Sequence, residues 1–304
     1  MTVRSRPYAG PTDYKVVGDF LVAHYQPGNR DGNWLQPEWE YMHTHPMLDK
    51  TALGKIRLWE DVHIGAPRGE IVGVVNYESR LCEAFFQLKP GYGFLKPEML
   101  AYAEANLYGT TEMGQPFLRA YVNDFDLELE TLAMARGYVR QTDLAWPMSQ
   151  FRIPDPFPAI AVPEGFRLKS LADENDLHKV HRVLWRGFNH VGEPPEEAVE
   201  GRRKQQSSAG YRKDLKIVVE APNGDFAAFC GMWHDRVNAI AYVEPVATDP
   251  AYRRMGLGRA AVLEGIRRCG AEGATVAYVG SDLPFYRALG FEVLYITNCW
   301  LRYL

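Results

Sequence analysis

The sequence predicts a mixed α/β protein built from two successive domains, each a central mixed β-sheet flanked by helices. Three observations lead to this prediction. The chain has 304 residues, which is enough for two domains of ordinary size. In its second half, strand-like and helix-like segments follow one another in the order βααβββαβαβ. Residues 151–171 (FRIPDPFPAIAVPEGFRLKSL) hold four of the twenty prolines, a composition typical of domain boundaries, which places the domains at residues 1–160 and 161–304.

The elements of the second half are clearly marked. The strand FRLKSL is followed by a helix in which Leu177, Val180 and Leu184 recur at helical spacing, and then by a more polar helix over residues 196–208. Two strands on either side of the turn PNGD are typical of a hairpin. The remaining elements are a strand at 239–248, a helix at 258–269, a strand at 274–280, a short helix at 283–289 and a closing strand at 291–304.

The first half repeats part of this order with weaker signals, which is consistent with an ancient duplication. Its histidines His43 and His45, in EWEYMHTHP, are interpreted as loop residues because no partner ligands accompany them. The predicted elements are strands at 70–79, 81–90 and 116–124 and helices at 97–109 and 127–139.

Composition restricts the class of protein. An apolar content of 46% and a charged content of 24% are typical of a globular protein, and a net charge of −4 argues against a nucleic-acid coat. The four cysteines are scattered, and neither a signal peptide nor a run of 18 apolar residues occurs, so we expect a cytoplasmic protein with reduced thiols. The sequence contains no HExxH motif and no Cys/His cluster, so we expect no metal site. The negative net charge and the lack of a long apolar run lead us to expect no nucleic-acid partner and no membrane partner.

The segment ATDPAYRRMGLGRA, residues 247–260, indicates an anion site. It lies between a strand and a helix, and a helix N-terminus presents unpaired N–H groups at the positive end of the helix dipole. Glycines allow a phosphate close to the backbone, and arginines supply charge and forked donors. A plain basic helix start remains an alternative. The dinucleotide fingerprint GxGxxA, with Asp282 further along, fits less well because DPAYRRM separates the strand from the first glycine.

Two motifs in this half resemble the GCN5-related N-acetyltransferase (GNAT) superfamily. The pyrophosphate signature Q/R-x-x-G-x-G/A is matched by Arg253, Gly256 and Gly258, and a later aromatic-Tyr-x-x-x-Gly-Phe pattern by residues 285–291 (FYRALGF). The resemblance covers residues 165–304, and it extends to the first half by architecture alone. It implies acetyl-CoA as co-substrate, held where two parallel strands separate. The residues implied in binding it are Val246, Ala247, Thr248, Arg253, Arg254, Met255, Gly256, Leu257, Gly258, Arg259, Ser281 and Tyr286.

The resemblance also assigns catalytic roles. Tyr286 matches the tyrosine that protonates the departing CoA thiolate, and a phenol with a pKa near 10 carries its proton at neutral pH. Glu244 lies where many members carry the carboxylate that takes a proton from the amine, because an amine attacks only when neutral. The alternatives are a core tyrosine and a structural glutamate. The implied reaction is direct attack by a primary amine of a small molecule in a ternary complex, and a non-catalytic acyl-CoA sensor or partner-binding module is the competing hypothesis.

In such proteins the acceptor contacts come from the loop after the first helix and from the last strand. Here these are Trp185 and Asn189, and Asn298 and Trp300, although a tryptophan at either place also suits a core. EGRRKQQ and GYRKDLK, which suggest nucleic-acid binding, are interpreted as solvated faces. The first half has no Arg or Gln three residues before its first glycine in QLKPGYGF and has Ala133 where Tyr286 would be. It is therefore predicted to be a degenerate copy that does not use acetyl-CoA. The oligomeric state is not predicted.

Overall fold

The computed structural model describes residues 2–62 and 69–304, and the chain forms two compact units. The first unit comprises Met1–Met148 and Val293–Leu304, and the second comprises Ser149–Glu292. The sequence had placed the boundary near 160 and the closing strand in the second domain. In the structure Phe157 and Ile160 of the proline-rich stretch pack against the core of the second unit, and the closing strand pairs within the first.

The first unit is a mixed sheet with helices. Its strand order is β1-β2-β3-β4-β6-β13, with the short β5 beside β6, and the β4–β6 pair is parallel while the other neighbours are antiparallel. The elements are β1 (Val3–Pro7), α1 (Pro11–His24), α2 (Gln36–Thr44), β2 (Arg57–Asp61), β3 (Glu70–Asn76), β4 (Glu83–Leu88), α3 (Lys96–Asn106), β5 (Gly109–Thr110), β6 (Pro116–Asn123), α4 (Leu127–Ala135), the first part of β7 (Val139–Arg152), and β13 (Glu292–Tyr303) from Val293 onward.

The sequence interpretation of His43 as a loop residue was wrong, because His43 lies in α2. Its Nε2 is 3.2 Å from the Tyr8 hydroxyl, its Nδ1 is 2.9 Å from the carbonyl of Trp39, and its ring packs on Trp39 with centroids 4.2 Å apart. Burial lowers the pKa of His43 to about 4, so the imidazole is neutral in the folded protein at pH 7. His43 therefore serves the core of the first unit.

The second unit is the better match to its sequence prediction. Its strand order is β7-β12-β11-β10-β9-β8, in which β7 takes part through residues 149–152 and the β11–β12 pair is parallel. The elements are β8 (Arg167–Ser170), α5 (Leu177–Gly187), α6 (Val199–Gln205), β9 (Lys216–Glu220), β10 (Phe226–Asp235), β11 (Ile240–Thr248), α7 (Leu257–Ala271), β12 (Val276–Val279) and α8 (Pro284–Leu289). The predicted mixed α/β class with flanked central sheets is confirmed.

Helices α7 and α5 position the site by packing on this sheet. Helix α7 buries Leu257, Val262 and Ile266 against β9, β10 and β11, and α5 contributes Val183 and Leu184 to a second cluster with Phe229. Each such side chain contributes about 1.5–3 kcal/mol of burial free energy, which fixes both helices on the strands they cover. In residues 2–62 and 69–304, no helix combines the length and the apolar character needed to cross a membrane.

Candidate active site

The parallel strands of the second unit separate part of the way along β11. Their pairing runs from Ile240 and Val276 to Tyr242 and Tyr278. Strand β12 ends one residue later, at Val279, whereas β11 continues to Thr248. Among the strand pairs of the described chain, β11 beyond Tyr242 pairs with β10 on one edge only. Its other edge offers backbone groups to an extended ligand at the carboxyl end of two parallel strands, where α/β proteins commonly bind ligands.

A β-bulge in β11 sets the direction of Glu244. Cys230 of β10 pairs with Val246 of β11, and Met232 pairs with Val243. One residue of β10, Gly231, therefore lies opposite two residues of β11, Glu244 and Pro245. A Cβ atom at position 231 would lie 2.3 Å from the carbonyl oxygen of Glu244, so only glycine fits opposite the bulge. The same carbonyl accepts a hydrogen bond of 2.8 Å from the Trp233 indole.

The loop after β11 leads into an open helix N-terminus. Arg254 and Gly256 have φ values of 65° and 80°, in the left-handed region, and Asp249 caps the preceding turn through the N–H of Ala251. Helix α7 begins at Leu257, and its N-cap is Gly256, which has no side chain to occupy the first N–H groups. Left-handed residues just before an open helix start, with the unpaired N–H groups of the first turn, form an arrangement that suits an anion.

The arginines of this loop have different positions. The Arg253 guanidinium donates through Nη2 to the carbonyl of Gly187 at 2.9 Å and to Asn189 Oδ1 at 2.8 Å, and through Nε to the carbonyl of Thr248 at 3.3 Å. It therefore ties the loop to the end of α5. Arg259 donates to the carbonyl of Ala288. Of the other loop residues assigned from sequence, Arg254, Met255 and Gly256 are exposed, Val246 and Thr248 are half-buried, and Ala247, Leu257 and Gly258 are buried.

Gly258 lets α7 approach the end of β11 closely. A Cβ atom there would lie 2.8 Å from Thr248 Oγ1 and 3.5 Å from the Phe285 ring. The second glycine of the signature is thus needed for packing. Ser281 accepts a hydrogen bond from the N–H of Leu283 at 3.3 Å and so shapes the turn into α8.

Tyr286 lies on α8 in the same electrostatic environment as Glu244. Its ring is buried and makes edge-to-face contacts with Phe285 and Phe291, at centroid distances of 5.0 and 5.7 Å. Burial raises the pKa of Tyr286 above its usual value, and the nearby Cys230 and Glu244 raise it further. These effects keep the phenol protonated at neutral pH.

A cleft lies beside Glu244 on the side of α5 and α6. The space between its lining atoms is about 310 Å³, a volume that includes open solvent. Its lining combines apolar and aromatic side chains with two cations and one carboxylate. The lining residues are Val180, Leu184, Arg202, Gln205, Gln206, Tyr211, Lys216, Phe229, Trp233, Glu244 and Pro245.

The acceptor residues expected from sequence lie elsewhere in the structure. Trp185 donates its indole N–H to the carbonyl of Gly192 and stacks on His190, and Asn189 accepts from Arg253. Asn298 and Trp300 belong to the first unit, where Asn298 is fully buried and donates to Glu130 and Trp300 is part of the core. None of these four lines the cleft.

Sequence reasoning missed the cleft residues for a specific reason. Arg202 and Gln205 lie in EGRRKQQ, and Tyr211 and Lys216 lie in GYRKDLK, the two segments interpreted as solvated faces. Lys216 opens β9 with a side chain that is 1% exposed. The sequence feature that could have indicated a buried lysine is the position of Lys216 directly before the apolar run IVVEA. A charged residue at the start of such a run becomes buried if the strand is central in the sheet.

The corresponding gap in the first unit is filled by the chain itself. Strands β4 and β6 pair in parallel only at residues 83–84 and 119–120. Beyond that point Asn33 accepts from the N–H of Leu88 at 2.6 Å and donates to the carbonyl of Leu88 at 3.2 Å. On the other strand, Asn123 donates to the carbonyl of Gly32 at 2.9 Å. Residues 32–34 thus bond to both separating strands.

Two carboxylates lie at the N-terminus of α3, the helix that follows β4 in the first unit. Lys96, the first residue of α3, donates to Asp126 at 2.7 Å and to Glu128 at 2.9 Å. A Cβ atom on Gly93, three residues before that helix, would lie 3.1 Å from a carboxylate oxygen of Glu128. A diphosphate here would meet like charge.

A sheet whose parallel strands separate next to a glycine-marked helix N-terminus is the arrangement of the GNAT fold. Comparison with known proteins supports this assignment, since residues 177–291 match the model of the acetyltransferase (GNAT) family. The second unit is therefore similar to the GNAT superfamily over these residues.

Two solved structures extend the likeness to the whole chain. A GCN5-related N-acetyltransferase from Sphaerobacter thermophilus is 16% identical with a TM-score of 0.63, over 99% of this chain and 95% of its own. A tandem GNAT protein from the clavulanic acid biosynthesis pathway is 15% identical with a TM-score of 0.63, and the match covers 99% of this chain and 98% of that protein. At these identities the likeness concerns the fold alone.

A curated relative matches over a shorter stretch. The mycothiol acetyltransferase of Saccharomonospora viridis is 27% identical over 151 residues, which is 45% of this chain. The match spans about half of that relative, 49% of its length.

Proposed function

We propose that the second unit is an N-acetyltransferase that moves an acetyl group from acetyl-CoA to a primary amine of a small molecule by direct attack in a ternary complex. One observation carries the proposal. Strand β11, which carries Glu244, continues beyond the end of β12 and leads through a glycine-containing loop into the open N-terminus of α7. The match of residues 177–291 to the acetyltransferase (GNAT) family, whose members use acetyl-CoA, supports the same reaction.

The chemistry of the loop fits acetyl-CoA. The first N–H groups of α7, together with those of the left-handed residues before it, would hold the diphosphate, and Arg254 would add positive charge. Arg253 would act by holding the loop in shape, since its guanidinium bonds to Gly187, Asn189 and Thr248. The edge of β11 over residues 246–248 would pair with the pantetheine arm.

When bound, acetyl-CoA supplies a thioester carbonyl for the amine to attack. Glu244, which lines the acceptor cleft, would take a proton from the amine, directly or through water, because only the neutral amine is nucleophilic. The Tyr286 hydroxyl, held protonated by its raised pKa, would donate to the sulfur as negative charge develops there. The aromatic and aliphatic cleft walls limit competing attack by water.

We further propose that the first unit does not bind acetyl-CoA. Support comes from residues 32–34, which occupy the gap between β4 and β6, and from Glu128 at the N-terminus of α3. Its role is then architectural.

A pair of glycine variants tests acetyl-CoA binding by titration calorimetry. Gly256 and Gly273 lie at the two ends of α7, both have positive φ (80° and 100°), and a Cβ on either meets nothing within 4 Å. Each Gly→Ala change therefore carries a similar backbone penalty of about 1–2 kcal/mol. We expect Gly256→Ala to weaken acetyl-CoA binding at least 10-fold and Gly273→Ala to leave it unchanged. Equal affinities in both variants, or no binding by the wild type, would overturn the site.

Tyr286→Phe separates catalysis from binding. We expect the phenylalanine variant to bind acetyl-CoA normally and to lose about 100-fold in kcat, the usual contribution of a positioned acid. Acetyl-CoA binding without turnover of any amine in a broad panel would instead favour a non-catalytic acyl-CoA sensor.

A further inference from the structure

The C-terminal end of α5 lies directly against the end of β11 and the diphosphate loop (residues 249–256) that follows this strand. A Cβ atom on Gly187, the last residue of α5, would lie 2.6 Å from the Cβ of Ala247, so only glycine fits there. An ion pair of 2.8 Å joins Arg186 Nε to Asp249 Oδ2 at the start of the loop. The end of α5 is thus the surface on which the loop begins.

Asn189 closes α5 in the left-handed conformation, with a φ value of 62°. Its N–H donates to the carbonyl of Arg186 at 3.0 Å, and the N–H of His190 donates to the carbonyl of Trp185 at 3.2 Å. These are the two hydrogen bonds of a Schellman motif, in which glycine is the usual left-handed residue because a Cβ atom is strained there. A side chain at this position therefore needs a compensating interaction of its own.

That interaction joins Asn189 to the diphosphate loop. Arg253 Nη2 donates to Asn189 Oδ1 at 2.8 Å and to the carbonyl of Gly187 at 2.9 Å. As the last residue of α5, Gly187 has a carbonyl without an intrahelical partner, at the negative end of the helix dipole. A guanidinium carries its charge at all relevant pH values and presents several donors in a fixed geometry. Arg253 therefore caps α5, and Asn189 fixes the direction of its side chain.

Resting on the acetyl-CoA binding proposed above, we propose that Asn189 is a positioning residue for the co-substrate. It holds Arg253, and through Arg253 it keeps the diphosphate loop, with its left-handed residues Arg254 and Gly256, in the shape that receives the diphosphate. A loop that is ordered before the ligand arrives loses less conformational entropy on binding. Loss of the Asn189 side chain should therefore weaken acetyl-CoA binding even though Asn189 itself touches only the protein.

Two Asn→Gly variants at opposite ends of α5 test this role by titration calorimetry. Asn189→Gly removes the bond to Arg253, and glycine is at ease in the left-handed conformation, so the Schellman motif remains. Asn175→Gly is the matched control, because Asn175 lies two residues before α5 and its exposed amide exchanges hydrogen bonds with Gln206. We expect the Kd for acetyl-CoA to rise about fivefold or more in Asn189→Gly and to stay within about twofold in Asn175→Gly.

Melting temperatures measured on the same proteins separate positioning from stability. We expect Asn189→Gly to melt at the temperature of the wild type. A lower melting temperature with an unchanged Kd would assign the Asn189 side chain a merely structural role and overturn the proposal, as would a Kd and a melting temperature that are both unchanged.

A double-mutant cycle tests whether Asn189 acts through Arg253. We expect Asn189→Gly/Arg253→Ala to bind acetyl-CoA within about twofold of Arg253→Ala alone, because the Asn189 side chain has no effect once its partner is gone. If the loss in the double variant equals the product of the two single losses, the residues act independently and the proposal is wrong. Failure of the wild type to bind acetyl-CoA would instead refute the proposed acetyltransferase function.

Discussion

Replacing Gly231 by alanine tests whether the bulge in β11 positions Glu244 for catalysis. A Cβ atom at 231 would lie 2.3 Å from the Glu244 carbonyl oxygen, and ordinary contact begins near 3.4 Å. The backbones of β10 and β11 must therefore separate by about 1 Å. A misplacement of about 1 Å in a catalytic constellation reduces the rate about 100-fold, which corresponds to about 2.7 kcal/mol of activation free energy. Overpacking of this kind also destabilises a protein by about 1–3 kcal/mol.

The assay compares kcat for acetyl transfer, acetyl-CoA affinity and the melting temperature. We expect Gly231→Ala to lower kcat between 10- and 100-fold while acetyl-CoA affinity stays within threefold, because the loop and α7 lie beyond the bulge. Gly265→Ala is the matched control, since its Cβ would come as close, 2.4 Å, but to the side chain of Met232. Methionine adapts its rotamers, so kcat should change less than threefold. A Gly231→Ala protein that folds and retains kcat within twofold of the wild type would refute the reasoning.

Three further predictions concern the first unit. Asn33→Ala removes both hydrogen bonds to the Leu88 backbone and should lower the free energy of unfolding in urea by about 1–3 kcal/mol. Asn106→Ala is the control, because the Asn106 amide donates a hydrogen bond within its own helix and its loss should lower the free energy of unfolding less. Equal urea midpoints for the two variants would contradict this prediction. The pKa of His43 is 6.5 in the unfolded chain and about 4 in the folded protein. Neutral His43 therefore stabilises the folded protein fully above pH 6.5, and this stabilisation is lost as the pH falls to 4. Between pH 6.5 and pH 4 the free energy of unfolding should fall by about 3 kcal/mol more in the wild type than in His43→Gln. Parallel pH profiles of the free energy of unfolding in the two proteins would contradict this prediction. Calorimetry should give one acetyl-CoA per chain, since Glu128 lies at the N-terminus of α3, and a stoichiometry of two would disprove the degenerate copy.

The second unit could be predicted largely from sequence because its signals are local. The spacing of Leu177, Val180 and Leu184 marks α5, and the PNGD turn marks the hairpin of β9 and β10, each within a few residues. Arg253, Gly256 and Gly258 form a contiguous pattern whose geometry follows from backbone rules.

The first unit gave weaker signals in its N-terminal part. Helices α1 and α2 and strands β1 and β2 were not assigned, and α2 buries the charged Glu40 beside Trp39, which blurs its apolar pattern. Their existence depends on tertiary packing, which overrides local propensity.

The cleft beside Glu244 could not be predicted because it depends on contacts between residues that are distant in sequence. Lys216 is recognisable as a wall residue only when Trp233 and Tyr211 stand beside it. Trp300 is predicted as an acceptor contact because the resemblance implies such contacts in the last strand, but that strand, β13, pairs with β6 and belongs to the first unit. Pairing of this kind has no local signature.

The position of β13 has a consequence for biosynthesis. The first unit consists of residues 1–148 and 293–304, so the ribosome completes it only after residues 149–292 have been made. The half translated first therefore cannot finish folding first, and until residues 293–304 arrive, β6 presents an open edge to chaperones and to other nascent chains. A stop codon or frameshift within β13 would remove this pairing from the first unit, although the strands β8 to β12 of the second unit would already have been translated.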